Sequence, residues 1–493
     1  MIAQLQGLAQ PVFCALAYDA INLIVRIDHS IHLDEPSTPP EFLQRVLKEL
    51  TIINPGKERA LAELIRGAGN LPDEIVLWRR SGRKIIIPRG FVHRFEQIAE
   101  QEGIDIEWDS RMTLLPPSEH CFRDWPAAEL RDYQIPARDA MLNWSQGVLE
   151  APTGSGKTRI CLEFVRWAGQ KTLVIVGKVS LARQWQAVVQ EVYGYETGFI
   201  GEGQWDERDL TIALWQSLHR KSENGSMKWG CVIVDEVHHC AADSLSNVTE
   251  GLDAFYRFGC SATPRWDPLL FPIIEASVGP IIHRILPAQV GSSLISPTVR
   301  VIETDFAMAY KATIRFKGRR QQNNFAEIMA ALVADPARND LLAKIARDEA
   351  LDGHHVLIVT RRIEHVRQLV SRLENDFDLG NDLNVLTGAQ TGADARRIAH
   401  TIDQAQSGTI LVSTVAEEAL DFPKLNRLIM AYPLRRLPLI EQQVGRILRP
   451  VPRKEGATVY DIADPKTSVL RAQRTERMKL YARRGWKIET EDS

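Results

Sequence analysis

Cysteine is scarce in this 493-residue chain, and the six present, at positions 14, 121, 161, 231, 240 and 260, form no Cys-x-x-Cys pair. That scatter argues against a disulfide framework, a zinc ribbon or an iron–sulfur cluster, and for a reducing, intracellular and cytoplasmic setting. No apolar run approaches the roughly 20 residues needed to span a bilayer. No Lys or Arg precedes Arg26, so the charged start of a signal peptide is missing. Net charge is only −3, which argues against a basic nucleic-acid coat and leaves any such contact to local patches. Short repeats, low-complexity segments and any Glu-x-Lys nuclease element are also absent.

What is present has the composition of an ordinary globular chain, 44% hydrophobic and 25% charged, long enough for about three domains. Residues 11–33 read as strands, 41–50 and 57–67 as helices. Ile75–Arg80 and Lys84–Ile87, with a Ser-Gly turn between them, read as the arms of a β-hairpin. A helix near 91–102 and a strand at 104–108 complete a small α+β module, closed by the Pro116, Pro117 and Pro126 linker. Apolar strands then alternate with helical text: Thr172–Val176, Leu210–Leu214, Cys231–Val234 and Phe258–Ser261. A second series follows at Val299–Glu303, Val356–Val359, Leu383–Leu386, Thr409–Val412, Arg427–Met430 and Ala457–Asp461. Each series predicts a parallel sheet with crossover helices. The expected domains are 1–125, 126–290 and 291–493.

Thr153-Gly154-Ser155-Gly156-Lys157-Thr158 follows a strand, Val148-Leu149-Glu150, and precedes a helix, the setting a phosphate-binding loop requires. The glycines let backbone N–H groups face phosphates, and the helix N-terminus adds its dipole. Lys157 would reach the β- and γ-phosphates and Thr158 would ligate Mg²⁺. Asp235 and Glu236 end the apolar strand Val232-Ile233-Val234, at the edge where parallel sheets place their ligands. Asp235 suits a magnesium anchor and Glu236 a base for water. His238-His239-Cys240 are three consecutive side chains, which do not readily converge on one metal ion. Arg446 and Arg449 share one helix face, where paired guanidinium groups would clamp a γ-phosphate.

These elements, in this order, resemble superfamily 2 helicases and translocases over roughly residues 126–465. Leu130-Arg131-Asp132-Tyr133-Gln134 resembles the adenine-reading segment, with Arg131 and Gln134 in nucleotide binding. Asp235-Glu236-Val237-His238 resembles the DExH box, and Ser261-Ala262-Thr263 the motif that couples hydrolysis to motion. Val412 to Thr414 with Glu418 to Pro423 resembles the fifth motif, bringing Asp421 to the nucleotide. Gln442 to Arg449 resembles the sixth. The opening segment, the DEVH form and the Gln-Gln-Val-Gly-Arg-Ile-Leu-Arg-Pro ending are similar to the XPB-like and UvsW-like branch, where an accessory module precedes the motor. Two departures stand out: Arg265-Trp266-Asp267 only partly resembles the Arg-Glu-Asp element, and Ala419 stands where glycine is common.

The resemblance implies two tandem RecA-like parallel-sheet lobes behind a small α+β accessory domain, with ATP and Mg²⁺ between the lobes. Lys157, Thr158, Asp235 and Glu236 would come from the first lobe, and Gln442, Arg446 and Arg449 from the second. His238, Ser261 and Thr263 would couple hydrolysis to movement. Ser180, Arg183, Gln216, Ser217, Thr360, Arg361 and Thr414 would meet a nucleic-acid strand. The implied activity is ATP-driven work on duplex, forked or branched DNA. An RNA helicase, an ATP-gated clamp, and the motor subunit of a repair or defence complex with a separate nuclease remain as alternatives. The basic hairpin (Arg79, Arg80, Arg83, Lys84 and Arg89 beside Trp78), the stretch Lys311–Arg320 and the run Arg471–Lys487 suit either phosphate contact or a solvated edge.

Overall fold

Strands covered on both faces come from continuous apolar runs, and the two large sheets are built of these. The computed structural model describes residues 21–54, 72–112, 114–117, 122–152, 154–222, 227–238, 251–262, 264, 269–290, 296–311, 314–316, 319–321, 324–376, 382–388, 392–414, 422–434, 437–448, 454 and 456–490. The expected structure at 11–20 and the helix at 57–67 lie outside these.

The first module contains β1 (Ile21–Ile27), β2 (Ser30–Asp34), α1 (Pro40–Glu49), β3 (Thr51–Ile53), β4 (Glu74–Val76), β5 (Arg79–Ser81), β6 (Lys84–Pro88), α2 (Val92–Gln101) and β7 (Ile104–Ser110). Its main sheet has the order β5-β6-β2-β1-β7. Alternation in β1 turns Leu23, Val25 and Ile27 towards a core with Phe42 and Val46 of α1 and Phe95 and Ile98 of α2. The hairpin forms where the sequence places it, with a shorter first arm. Arg79–Ser81, at the end of the expected first arm, pairs with Lys84–Ile86, while Glu74–Val76 is taken by β3 in a separate ribbon.

Arg89 also departs from the expected basic edge. It is 1% exposed and plugs into the next domain, donating from Nε to Gln146 Oε1 at 2.8 Å and from its Nη atoms to the carbonyls of Ala254 and Phe255. Gln146 Nε2 returns a bond to the Arg89 carbonyl at 3.0 Å. A Cβ on the adjoining Gly90 would lie 2.3 Å from the Ala276 carbonyl oxygen, so only glycine allows this contact.

The second unit contains α3 (Ile135–Asn143), β8 (Gln146–Glu150), α4 (Lys157–Ala168), β9 (Thr172–Val176), α5 (Val179–Tyr193), β10 (Gly198–Gly201), β11 (Gln204–Asp206), β12 (Leu210–Leu214), α6 (Trp215–Ser222), β13 (Met227–Asp235), β14 (Leu252–Ser261), α7 (Phe271–Val278) and β15 (Ile281–Arg284). Its eight strands run β11-β10-β12-β9-β13-β14-β8-β15, parallel except for the β10–β11 pair. Val174 and Val176 face a core with α4 and α5, while Leu173 and Ile175 face another with α7.

The third unit contains β16 (Pro297–Glu303), the ribbon β17 (Ile314–Phe316) and β18 (Arg319–Gln321), α8 (Phe325–Ala334), α9 (Pro336–Leu351), β19 (His355–Val359), α10 (Ile363–Asp376), β20 (Leu383–Leu386), α11 (Gly392–Gln404), β21 (Thr409–Ser413), β22 (Arg427–Met430), α12 (Leu437–Ile447), β23 (Ala457–Ala463), α13 (Ser468–Arg483) and β24 (Lys487–Thr490). All seven strands of its main sheet, β20-β21-β19-β22-β23-β16-β24, are parallel. These are the two RecA-like lobes the sequence implies. The basic C-terminal run resolves into a docked helix and an edge strand. In α13, Arg477 grips Asp461 with two bonds of 2.9 and 2.7 Å, and the Tyr481 hydroxyl donates to the same carboxylate.

Candidate active site

The loop after β8 bends through two glycines in the left-handed region, Gly154 at φ 81° and Gly156 at φ 79°, a conformation costly for any residue with a Cβ. Gly156 caps α4, so the first free N–H groups of that helix open into the loop. Lys157 Nζ folds back to the Ala151 carbonyl at 3.3 Å, a weak contact that phosphate oxygens would replace. The loop is tied to the neighbouring strand by the Ala151 N–H, which donates to the Ser261 carbonyl.

Gln134 is not at an open surface. It is 2% exposed; its Oε1 accepts from the Arg131 N–H and its Nε2 donates to the Ser155 carbonyl at 2.7 Å. The structure makes it a brace behind the loop rather than a side chain offered to a base. Arg131 is exposed and its guanidinium bonds the Tyr133 hydroxyl.

Asp235 ends β13. Its Oδ1 accepts from the Glu236 N–H at 2.9 Å and its Oδ2 from the Trp185 indole at 2.8 Å. Burial pushes its carboxyl above the usual range, with the like charge of Glu236 adding to the rise, against the pull of Lys157 and the two N–H donors. Glu236 has φ 51°, a left-handed backbone that a non-glycine residue adopts at a cost and that recurs at functional sites. The bend swings its side chain back towards His238 and Ser261. His238 Nδ1 lies 2.8 Å from Ser261 Oγ and 3.3 Å from Glu236 Oε2, and Ser261 Oγ lies 3.5 Å from the same carboxylate oxygen. The residues expected to carry hydrolysis and its coupling therefore meet in one cluster. Thr158 sits in the first turn of α4, while Thr153 and Thr263 lie outside the described residues.

Residues 127–266 match the family described as Type III restriction enzyme, res subunit, and residues 337–451 match the helicase conserved C-terminal domain. The chain is 28% identical over 347 residues to "Probable helicase D10" of Escherichia phage T5, covering 70% of this chain and 73% of that one. It is 26% identical over 376 residues to "DNA 3'-5' translocase XPB2" of Sulfurisphaera tokodaii, covering 71% and 84%. It is 20% identical over 391 residues to "ATP-dependent DNA helicase uvsW" of Enterobacteria phage T4, covering 75% and 74%. The chain belongs to the superfamily 2 helicases, in the XPB- and UvsW-like branch. It is an ATP-hydrolysing helicase.

The helicase's expected strand-facing residues divide into two groups. In the first lobe, Ser180 and Arg183 lie on the opening turns of α5 and Gln216 and Ser217 on those of α6, following the neighbouring strands β9 and β12. Gln216 Nε2 donates to the Gly177 carbonyl at 3.2 Å, joining the two loops. In the second lobe, Arg361 is exposed and Thr414 partly so, but Thr360 is 1% exposed. The Thr360 hydroxyl is held by His365 Nδ1 at 2.8 Å, and His365 Nε2 meets Asn339 Oδ1 at 2.9 Å. As the Asn339 amide nitrogen donates to the Val333 carbonyl, its oxygen faces His365. The ring is then protonated on Nε2 and accepts the threonine proton on Nδ1. Thr360 braces its loop and does not present its side chain to a strand.

Arg446 is on α12, half-buried. Asp421 and Arg449 lie outside the described residues, as does the side chain of Gln442. No helix among the described residues is long and apolar enough to cross a membrane. Trp185 escaped the sequence reading because, beside Ala182 and Val189 on the buried stripe of α5, it reads as core.

Proposed function

We propose that this helicase is an ATP-driven DNA motor acting on duplex, forked or branched substrates, separating strands or moving a branch point. The observation that carries the reading is the Glu236–His238–Ser261 cluster, with contacts of 2.8 to 3.5 Å, set beside a phosphate-binding loop. It ties the carboxylate suited to activating water to the strand β14, and so to the rest of the lobe. The names of the similar proteins, two of which specify DNA, support DNA over RNA.

In this reading residues 1–125 form an accessory domain, 126–290 the ATP-binding lobe and 291–493 the second lobe. The N–H groups of the loop and Lys157 hold the phosphates. Gln134 keeps the loop in shape, Arg131 and Asp421 complete the nucleotide pocket, and Gln442 joins the catalytic groups. Thr158 and Asp235 hold magnesium, which neutralises phosphate charge when bound. Glu236 orients and deprotonates water, and Arg446 with Arg449 meets developing charge on the γ-phosphate. His238, Ser261 and Thr263 carry the change outward, while Ser180, Arg183, Gln216, Ser217, Arg361 and Thr414 hold the strand.

ATPase turnover measured without nucleic acid and with single-stranded, duplex and forked DNA and RNA tests this, with Glu236→Gln as control. Stimulation by duplex or forked DNA, weakened by salt and lost in the variant, is expected. Stimulation by RNA alone would move the enzyme to the RNA class. Turnover that depends on Glu236 but ignores every nucleic acid would overturn the stand-alone motor.

A further inference from the structure

One buried donor has no part in the scheme above. Trp185 is 1% exposed, and its Nε1–H donates to Asp235 Oδ2 at 2.8 Å. The same helix carries Ser180 and Arg183 on its opening turns, five and two residues earlier, so the strand-facing end lies within about 7.5 Å along a rigid rod. The other oxygen of Asp235 is held by the Glu236 N–H, and the indole therefore sets the rotation of the carboxylate. Burial alone does not demand such a bond here. Trp229, on β13 and 2% exposed, has an indole nitrogen with no hydrogen-bond partner among the described residues.

We propose that Trp185 is a positioning residue that couples the strand-facing end of α5 to Asp235, so that nucleic-acid contact on the helix sets how this carboxylate meets nucleotide-bound magnesium. The inference rests on the motor reading above. A shift of α5 on engaging a strand would pull on Oδ2 directly, without passing through the His238–Ser261 contact. By linkage, magnesium and nucleotide at Asp235 would in turn alter the affinity of the helix for a strand.

The test compares Trp185→Phe with Trp229→Phe, which removes the same N–H from an indole that has no acceptor for it. In the full chain, affinity for a fluorescent non-hydrolysable ATP analogue is measured against Mg²⁺ concentration, with and without forked DNA. In the unmodified protein, DNA should change the affinity for the Mg²⁺-loaded analogue. In Trp185→Phe the Mg²⁺ needed for half-maximal binding should rise about 10- to 100-fold, the usual effect of losing an outer partner of a metal site. Metal-free analogue binding should persist and the effect of DNA should vanish. Trp229→Phe should retain all of these properties of the unmodified protein. Equal behaviour of the two variants, or retention of the DNA effect in Trp185→Phe, would overturn the proposal while leaving the motor intact. No DNA effect in the unmodified protein would remove the motor reading and this inference with it. Should Trp185→Phe not fold, ¹⁵N-indole spectra of the unmodified protein decide. One of the eleven tryptophan signals must respond both to DNA without nucleotide and to the Mg²⁺-loaded analogue without DNA; if none does, the proposal falls.

Discussion

The two lobes share an architecture but differ in where their buried charges gather. In the first, Asp235, Glu236, His238 and Ser261 gather at the carboxyl edge of the sheet, beside the phosphate loop, with a raised carboxyl pKa at Asp235 and a left-handed backbone at Glu236. In the second, buried charge is matched inside the scaffold. Arg338 and Asp464 are 0% and 1% exposed and bonded at 2.9 Å, with Thr304 on the same carboxylate and the Ala431 carbonyl on the guanidinium. Arg477, Asp461 and Tyr481 form a second buried set. The first lobe gathers charged groups at the edge of its sheet beside the phosphate loop, whereas these ion pairs of the second lobe are internal struts. That division suits a machine in which one half holds most of the reacting groups and the other must move as a stiff body.

The contrast can be broken from either side. Replacing Glu236 with Gln should lower nucleic-acid-stimulated turnover by about 10²–10⁴-fold, the share of a general base, with little change in unfolding temperature; steady-state ATPase and calorimetry check both. Arg338→Ala should do the reverse, destabilising the second lobe by about 3–5 kcal/mol through the stranded Asp464; denaturant unfolding should show it, with nucleotide affinity at the first lobe retained. Arg89→Leu should loosen the accessory module by about 1–3 kcal/mol, since Gln146 and two carbonyls lose a donor. Hydrogen exchange should then rise at residues 254–255 and 89–91.

A smaller effect concerns pH. Burial, with the charges of Arg338 and Arg372, lowers the His365 pKa to about 3. A histidine with a depressed folded pKa takes up its proton in the unfolded chain first. Its contribution to stability is therefore complete above about pH 6.5 and is lost as pH falls towards 3. Thr360→Val should cost about 1 kcal/mol, leaving Nδ1 of that ring without its donor, and should flatten little of the pH dependence, which comes from burial; urea titrations at pH 7 and 4.5 separate the two.

Sheet cores were legible because two-sided burial leaves an unambiguous signature. Thr172–Val176, Leu210–Leu214 and Arg427–Met430 were read from sequence with the bounds the structure gives. The hairpin was legible at its turn, but its first arm was read too long, because the strand that takes Ile75-Val76, Thr51–Ile53, lies more than twenty residues upstream. The order of the loop and the DEVH segment located the site, since phosphate binding demands residue types at fixed spacing. Gln134, Thr360, Arg89 and Trp185 were not legible in the same way. Each is a polar or amphipathic side chain whose duty is set by a partner far along the chain, and no local pattern separates a brace from a contact.

The Arg89–Gly90 junction bears on how the chain can be dissected. The face of α7 against which Gly90 rests belongs to the core of the first module, through Ala276. A motor fragment cut to begin at the phosphate-loop domain would present that face, the Gln146 amide and two strand carbonyls to water. Such a fragment should be less soluble than the parent and inclined to self-associate, so a loss of activity on trimming would report a torn seam before it reported a missing recognition element.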